Sequence, residues 1–348
     1  MSHIFLTGFP GFIGHRLAQA LLTKDPSFTM TFLVHPNMID LAKSNSAQFQ
    51  NRCTIVVGDI TQPDLGLDTR TKEKVLLETT HVFHLAAIYD LTVPKELATR
   101  VNVFGTENIL NFFSKATALK RLNHISTCYV SGDLKGEVTS DLLEENQHFH
   151  NFYESTKHAS EVLVQAKKNE MPITIFRPAI VVGDSKTGET AKFDGPYVVM
   201  KLLHRLRWFL RCVPNLGTPQ YEVNTIPVDT LVQIISYLAF QEKSLGKTYQ
   251  ICDPHPPSTE EFFDMLVQII SGHSPYKLDF LRKFILWKLG LPGVSCITGV
   301  SKQALDYFTH PGRYRCPDLM EDLKGSGIEI PKPKTVYPIL YQYMKAHL

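Results

Sequence analysis

The sequence predicts an α/β fold, a doubly wound parallel sheet carrying a smaller, discontinuous C-terminal lobe. Two observations predict it. Over the first half of the chain, short β-branched and apolar runs alternate with longer helical patterns, as repeated βαβ units require. A glycine-spaced turn, Thr7-Gly8-Phe9-Pro10-Gly11-Phe12-Ile13-Gly14, stands between the first run and the first helix. The composition is that of a globular protein of one large or two ordinary domains: 348 residues, 43% hydrophobic and 20% charged, which excludes disorder and fibrous repeats. Lys+Arg 36 against Asp+Glu 34 leaves a net charge of +2, so no overall basic field points to nucleic acid.

Strands are expected at residues 4–6, 29–34, 54–57, 82–85, 122–126 and 173–176, and helices at 12–22, 95–115 and 152–168. Pro26, Pro94 and Pro172 punctuate them. After Gly183 the texture becomes turn-like, with prolines at 196, 214, 219 and 227. The first unit is therefore placed at 1–185 and rejoined by about 226–253, through a helix at 227–240 and a strand at 247–252. The lobe takes 186–225 and 254–348, and Ser258-Thr-Glu-Glu261 has capping-box spacing ahead of one of its helices. Six cysteines at least 20 residues apart form no CxxC pair, which suits a reducing, cytoplasmic setting. The N-terminus lacks a basic, apolar leader, and no apolar stretch is long enough to span a bilayer.

Glycines in the first turn let the chain reverse tightly, let a pyrophosphate approach the backbone and let the helix close on its strand. The spacing is GxxGxxG, with Pro10 at the middle position of the commoner GxGxxG. Further on, Tyr153 and Lys157 stand at i and i+4, a phenol and an ammonium on one helix face. A neighbouring cation is expected to lower a phenol pKa that starts near ~10. Tyr197 with Lys201 and Tyr341 with Lys345 repeat the spacing. Only Tyr153 begins a helix that follows a strand ending in hydroxyls, His124-Ile-Ser126-Thr127, and precedes another strand.

These residues resemble the extended short-chain dehydrogenases/reductases, over roughly the first 185 positions and again near Pro227-Val-Asp229. The likeness rests on the glycine turn, Gly58-Asp59-Ile60, His84-Leu85-Ala86-Ala87, Val101-Asn102-Val-Phe-Gly-Thr106, Ser126-Thr127, Tyr153 with Lys157, and Arg177-Pro178. Within that family, His124-Ile-Ser-Thr-Cys-Tyr-Val and Arg177-Pro-Ala-Ile-Val-Val-Gly are most similar to the branch of fatty acyl-CoA reductases and thioester reductase domains, the male sterility type. The resemblance implies a Rossmann-like domain in which Tyr153 is the general acid/base, Lys157 holds the nicotinamide ribose and lowers the tyrosine pKa, and Thr127 binds the reacting oxygen, with Ser126 as the alternative hydroxyl. It implies that Thr7 to Gly14 cradle the pyrophosphate, Asp59 and Ile60 flank the adenine, Leu85, Ala86 and Ala87 line the cleft, and Pro178 borders the nicotinamide. Asn102 reads as a structural hydrogen bond between helix and sheet. A homodimer with a four-helix interface is common in the family.

An NAD site usually has a carboxylate at the end of the second strand, on the ribose 2′-hydroxyl. Here the chain reads Phe32-Leu-Val-His35-Pro36, with no acid before Asp40, so NADP is expected, NAD being the alternative. His35 stands where NADP-dependent relatives often have arginine, and Arg16 or Lys43 are candidates for the missing cation. Residues 204–211 and 280–288 mix bulky apolar side chains with cations and hold both tryptophans, Trp208 and Trp287. They suit a helix covering an acyl pocket or touching lipid, or one whose cations snorkel out of a packed core. The expected function is NADP-dependent reduction of a carbonyl or acyl thioester on an apolar substrate, CoA- or carrier-linked in the thioester case. The rivals are a sugar-nucleotide epimerase or dehydratase with bound NAD, and a non-catalytic dinucleotide sensor. No metal site is expected, since no HExxH occurs and the fourteen histidines lack paired ligand spacing.

Overall fold

The computed structural model describes residues 2–90, 92–143, 146–210, 214–275 and 308–348. Seven parallel strands form the central sheet: β1 (His3–Thr7), β2 (Thr29–Val34), β3 (Cys53–Val57), β4 (His81–His84), β5 (Arg121–Ile125), β7 (Ile173–Pro178) and β10 (Thr248–Ile251). Their spatial order is β10-β7-β5-β4-β1-β2-β3, so the winding reverses between β1 and β4. A cleft opens at the carboxyl ends of strands on either side of such a reversal. The alternation of side chains sorts β1 between two cores: Ile4 and Leu6 join Phe32, Leu17 and Leu21 on one face, while Phe5 joins Val82, Ile109 and Phe113 on the other. On the first face α1 (Phe12–Lys24) lies against α8 (Val228–Leu238). The second face is covered by α3 (Thr69–Glu78), α5 (Gly105–Phe113) and α6 (Phe152–Ala166).

Several elements depart from expectation. The helix read at 95–115 is three pieces, α4 (Lys95–Ala98), a π-helical stretch (Thr99–Phe104) and α5. Also, α2 (Ile39–Ser46) and α3 were not expected, because neither has an apolar stripe: α3 buries Val75 alone and starts from an Asp68 cap that accepts the Thr71 N–H at 3.0 Å.

A third core gathers α7 (Pro196–Arg205), α9 (Thr259–Ser271) and α11 (Pro333–Ala346) around Met200, Leu203, Phe262, Leu266, Tyr337 and Leu340. At the start of α9, Ser258 and Glu261 form the reciprocal capping box. Two small parallel ladders, β8 (Ile180–Val182) with β9 (Thr225–Pro227) and β6 (Gly136–Val138) with β11 (Gly312–Tyr314), lie beyond the sheet's carboxyl edge. Near β10, Asp322 at the end of α10 (Pro317–Asp322) accepts from Lys247 and Tyr249, both at 2.6 Å. Of the two aromatic and basic stretches, 280–288 lies outside the described residues. In the other, His204 and Arg205 end α7 and residues 206–209 form a turn.

Candidate active site

The glycine turn leaves β1 at Gly8, whose φ of +91° excludes most side chains and whose Cβ would stand 2.9 Å from the Leu85 Cβ. A Cβ on Gly14 would lie 2.6 Å from the Gly8 carbonyl oxygen. α1 thus starts directly against the turn, with Gly11 as an N-cap that offers no side-chain acceptor and no acid in the first turn. The first-turn N–H groups and the helix dipole are the donors a pyrophosphate needs, so the turn fits a dinucleotide. Of the expected cradle residues, Phe9 turns away: its ring is buried and stacked on Phe32 with centroids 4.1 Å apart, and core packing claims it. Pro10 is buried, Ile13 half-buried, and the Phe12 ring carries the Arg16 guanidinium at 5.8 Å.

Beneath the turn a buried polar chain fixes the reversal. The Thr7 hydroxyl accepts from the Leu85 and Ala86 N–H groups at 3.2 and 3.1 Å and meets His84 Nδ1 at 2.8 Å. His84 Nε2 meets the Thr106 hydroxyl at 3.0 Å, and that hydroxyl donates to the Asn102 carbonyl at 2.7 Å. The pattern requires a neutral imidazole with its proton on Nε2. Burial, with Lys157 adding to it, drops the His84 pKa to about 3, so it stays neutral. Asn102, in the π-helical stretch, accepts from the Ile88 N–H at 2.8 Å and donates to Thr156 at 3.0 Å, which links the loop after β4 to α6. Ala87 lies in that loop, half-buried.

α6 carries the reacting groups. Asn151 caps it, accepting the Glu154 N–H at 2.9 Å, and its inner stripe is polar: Thr156, Lys157, Ser160 and Glu161 are all buried. Tyr153, half-buried in the first turn, is hydrogen-bonded to the Thr127 side chain. Lys157, one turn on, donates to the Ile125 carbonyl at 2.8 Å. Burial, opposed by Glu161, lowers the Lys157 pKa to about 8. The expectation that Lys157 lowers the tyrosine pKa does not hold in this state. Burial raises the Tyr153 phenol above its ordinary value, the Thr127 hydrogen bond opposes the rise and Glu154 adds to it. Ser126 is corrected too: its hydroxyl donates to Glu161 at 2.5 Å and is committed to the interior.

Sequence reasoning missed Glu161, although it continues the face of Tyr153 and Lys157 at i+8. Arg177, at the end of β7, forks onto it with Nε at 2.9 Å and Nη2 at 2.6 Å, and donates from Nη1 to the Ser140 and Leu142 carbonyls. Burial alone would raise the Glu161 pKa, but Arg177 and hydrogen bonds from Ser126 and Gln165 outweigh it and hold the carboxyl below its ordinary value. Pro178 follows, buried. Tyr89 was missed as well. Its ring stands edge-on to Tyr153 with centroids 5.2 Å apart, and its hydroxyl bonds Asp194. The competing pairs sit in the lobe core: Tyr197 accepts the Gly183 N–H at 3.0 Å, and the Tyr341 hydroxyl meets His204 Nδ1 at 2.8 Å.

At the adenine end, the exposed His35 ring lies 3.9 Å from Asp59, which accepts the Thr61 N–H, and Ile60 packs in the second-face core. Arg16 is not a spare cation, since it pairs with Asp184 at 3.0 Å and Glu189 at 2.5 Å. Lys43 is exposed on α2. Among the described residues no cluster of His, Cys, Asp or Glu could hold a metal.

A reversed parallel sheet with a glycine turn at the reversal and a Tyr–Lys helix beside it defines an NAD(P)-binding oxidoreductase fold of the extended short-chain type. Residues 6–235 match the NAD-binding family model described as male sterility protein, and the chain belongs to that family. Among curated proteins it is 26% identical to fatty acyl-CoA reductase wat of Drosophila melanogaster over 56% of this chain and 46% of that one. It is 28% identical to the non-canonical nonribosomal peptide synthetase cpsA of Aspergillus campestris over 76% of this chain and 27% of that one. The chain thus spans about a quarter to a half of these relatives. Among solved structures, the terminal R domain from the myxalamid PKS-NRPS biosynthetic pathway superposes with a TM-score of 0.80 at 22% identity, covering 100% of this chain and 91% of that one. UDP-glucuronic acid 4-epimerase from Bacillus cereus in complex with NAD superposes at 0.64 and 21%, covering 99% of each. These two show the shared fold, and the cofactor is a nicotinamide dinucleotide.

Proposed function

We propose that the protein reduces a carbonyl or an acyl thioester on an apolar substrate with NADPH, the thioester being CoA- or carrier-linked. The observation that carries this reading is the Tyr153–Thr127 hydrogen bond, with Lys157 one turn further along the same helix. Reduction needs a proton donor that is still protonated at neutral pH, and the Tyr153 phenol is one. The glycine turn and the first turn of α1 would hold the dinucleotide, which would supply a hydride for the carbonyl carbon. Thr127 and Tyr153 hold the carbonyl oxygen between two hydroxyls and stabilise the charge that develops there, and Tyr153 gives its proton to that oxygen. Lys157, anchored on the Ile125 carbonyl, sets a positive charge beneath. With a thioester the product is a hemithioacetal, which collapses to an aldehyde and releases the thiol.

NADP rather than NAD is supported by the missing carboxylate at the end of β2 and the open His35 ring there. We take the core between the helices α7, α9 and α11 as the part that receives the substrate. Tyr153→Phe tests the site: cofactor should still bind, while turnover on an acyl-CoA or aldehyde falls about 10²-fold or more. Unchanged turnover would refute it. The epimerase reading draws on the shared fold of the Bacillus cereus enzyme, and protein purified with NAD firmly bound and active on a nucleotide sugar would favour it.

A further inference from the structure

The turn that follows α7 holds the two most exposed large aromatic side chains among the described residues. Trp208 leaves 80% and Phe209 66% of its surface in water, and Leu206 beside them is exposed. Arg207 stacks on Trp208 with its guanidinium carbon 5.3 Å from the ring centroid and donates to the His204 carbonyl at 3.0 Å. Lys201 lies 5.0 Å from the Phe193 ring. The hydrogen bond between His204 and Tyr341 joins α11 to this end of α7 and brings the Lys345 charge to bear on His204.

Carboxylates are missing from both segments. Residues 195–221 contain four Lys or Arg and 330–348 three, with no Asp or Glu in either. Among the described residues Lys201, Arg207 and Lys345 have no ion-pair partner. In a chain of net charge +2, this is a local concentration of cations around two rings with little cover.

We propose that this turn docks the protein on an anionic lipid surface, with Trp208 and Phe209 at headgroup depth and Arg207 and Lys345 facing the lipid phosphates. Charge complementarity selects an acidic partner, and shape selects lipid. A protein partner needs a contact of roughly 800 Å² a side, more than a short turn presents, whereas a lipid interface closes around a protruding ring. The proposal stands apart from the substrate assignment. Its consequence is spatial: α7 starts just after Asp194, the partner of Tyr89 beside Tyr153, so one helix of ten residues, about 15 Å, separates membrane from catalytic edge.

Co-sedimentation of the full chain with phosphatidylcholine vesicles, with and without phosphatidylserine, tests this. Binding should need phosphatidylserine, weaken steeply with salt, and shift the tryptophan emission to the blue. Arg207→Glu should weaken binding by fivefold or more, taking about fivefold for each cation at an anionic surface, and Trp208→Ala about tenfold. Both positions are exposed, so the melting temperature and the reduction of a soluble substrate should not change. Absence of vesicle binding, or binding that neither substitution weakens, overturns the proposal. So does a dimer or an acidic-protein complex lost in Trp208→Ala when vesicles are ignored, which would make the turn a protein contact.

Discussion

Ser126 and Thr127 are neighbouring hydroxyls with different partners, one on Glu161 and the other on Tyr153. Ser126→Ala should therefore cost about 2 kcal/mol of stability, the worth of a hydrogen bond to a charged group, and leave the chemistry near normal. Thr127→Ala should lower kcat by about 10², with a loss of about 1 kcal/mol because its hydroxyl also caps the following turn by accepting the Tyr129 N–H at 3.3 Å. Denaturant midpoints and steady-state rates on both variants check this, and the reverse pattern would exchange the two roles. Lys157 sets the pH response. Its ammonium is required and its pKa is lowered to about 8, while the Tyr153 phenol is raised, so kcat/KM for reduction should fall as pH rises through about 8. A pH–rate profile flat to alkaline values would remove Lys157 from the chemistry. At the adenine end, His35→Asp should turn preference from NADPH towards NADH by repelling the 2′-phosphate, which titration with both cofactors measures.

At the scale of elements, α6 was legible because local and tertiary signals agree: a helical period and a Tyr–Lys pair following a strand, to which the structure adds the Asn151 cap. What holds α6 to the sheet was less legible. The Arg177–Glu161 pair joins residues 16 apart, and nothing in the sequence pairs them without the sheet between. Breaking such a buried pair leaves one charge without compensation, so Glu161→Gln should destabilise the fold by about 3 kcal/mol. Because the Glu161 pKa is depressed in the folded state, its contribution is present above the ordinary value of 4.5 and lost as pH falls through the lower folded value. The stability difference between wild type and Glu161→Gln should therefore narrow in acid, as urea titrations at several pH values would show. The elements that escaped notice have physical reasons of their own. α3 is a charged helix without a stripe, the π-helical stretch carries no local mark, and the strands of the small ladders are three residues long, too short for a period of two to show.

At the scale of the molecule, the parallel, doubly wound sheet was readable because each βαβ unit announces itself in apolar runs and the glycine turn marks the first, while the spatial order of its strands was not. Neighbours brought together from distant segments were not. Cys252 and Cys316 are far apart in sequence, yet the Cys316 thiol donates to the Cys252 carbonyl at 3.4 Å. Tyr89 and Asp194 likewise meet only once the sheet and lobe are assembled. Through Tyr89, Asp194 just ahead of α7 is tied to Tyr153, and the proposed chemistry stands or falls on what that site accepts. The most direct measurement is NADPH consumption with a series of acyl-CoA thioesters of rising chain length, set beside the free acids and a nucleotide sugar. Aldehyde or alcohol should form from the thioesters, with affinity rising along the series as each buried methylene adds about 0.8 kcal/mol, and the free acids should be inert. Turnover of the nucleotide sugar, with none of any apolar carbonyl or thioester, would contradict the assignment.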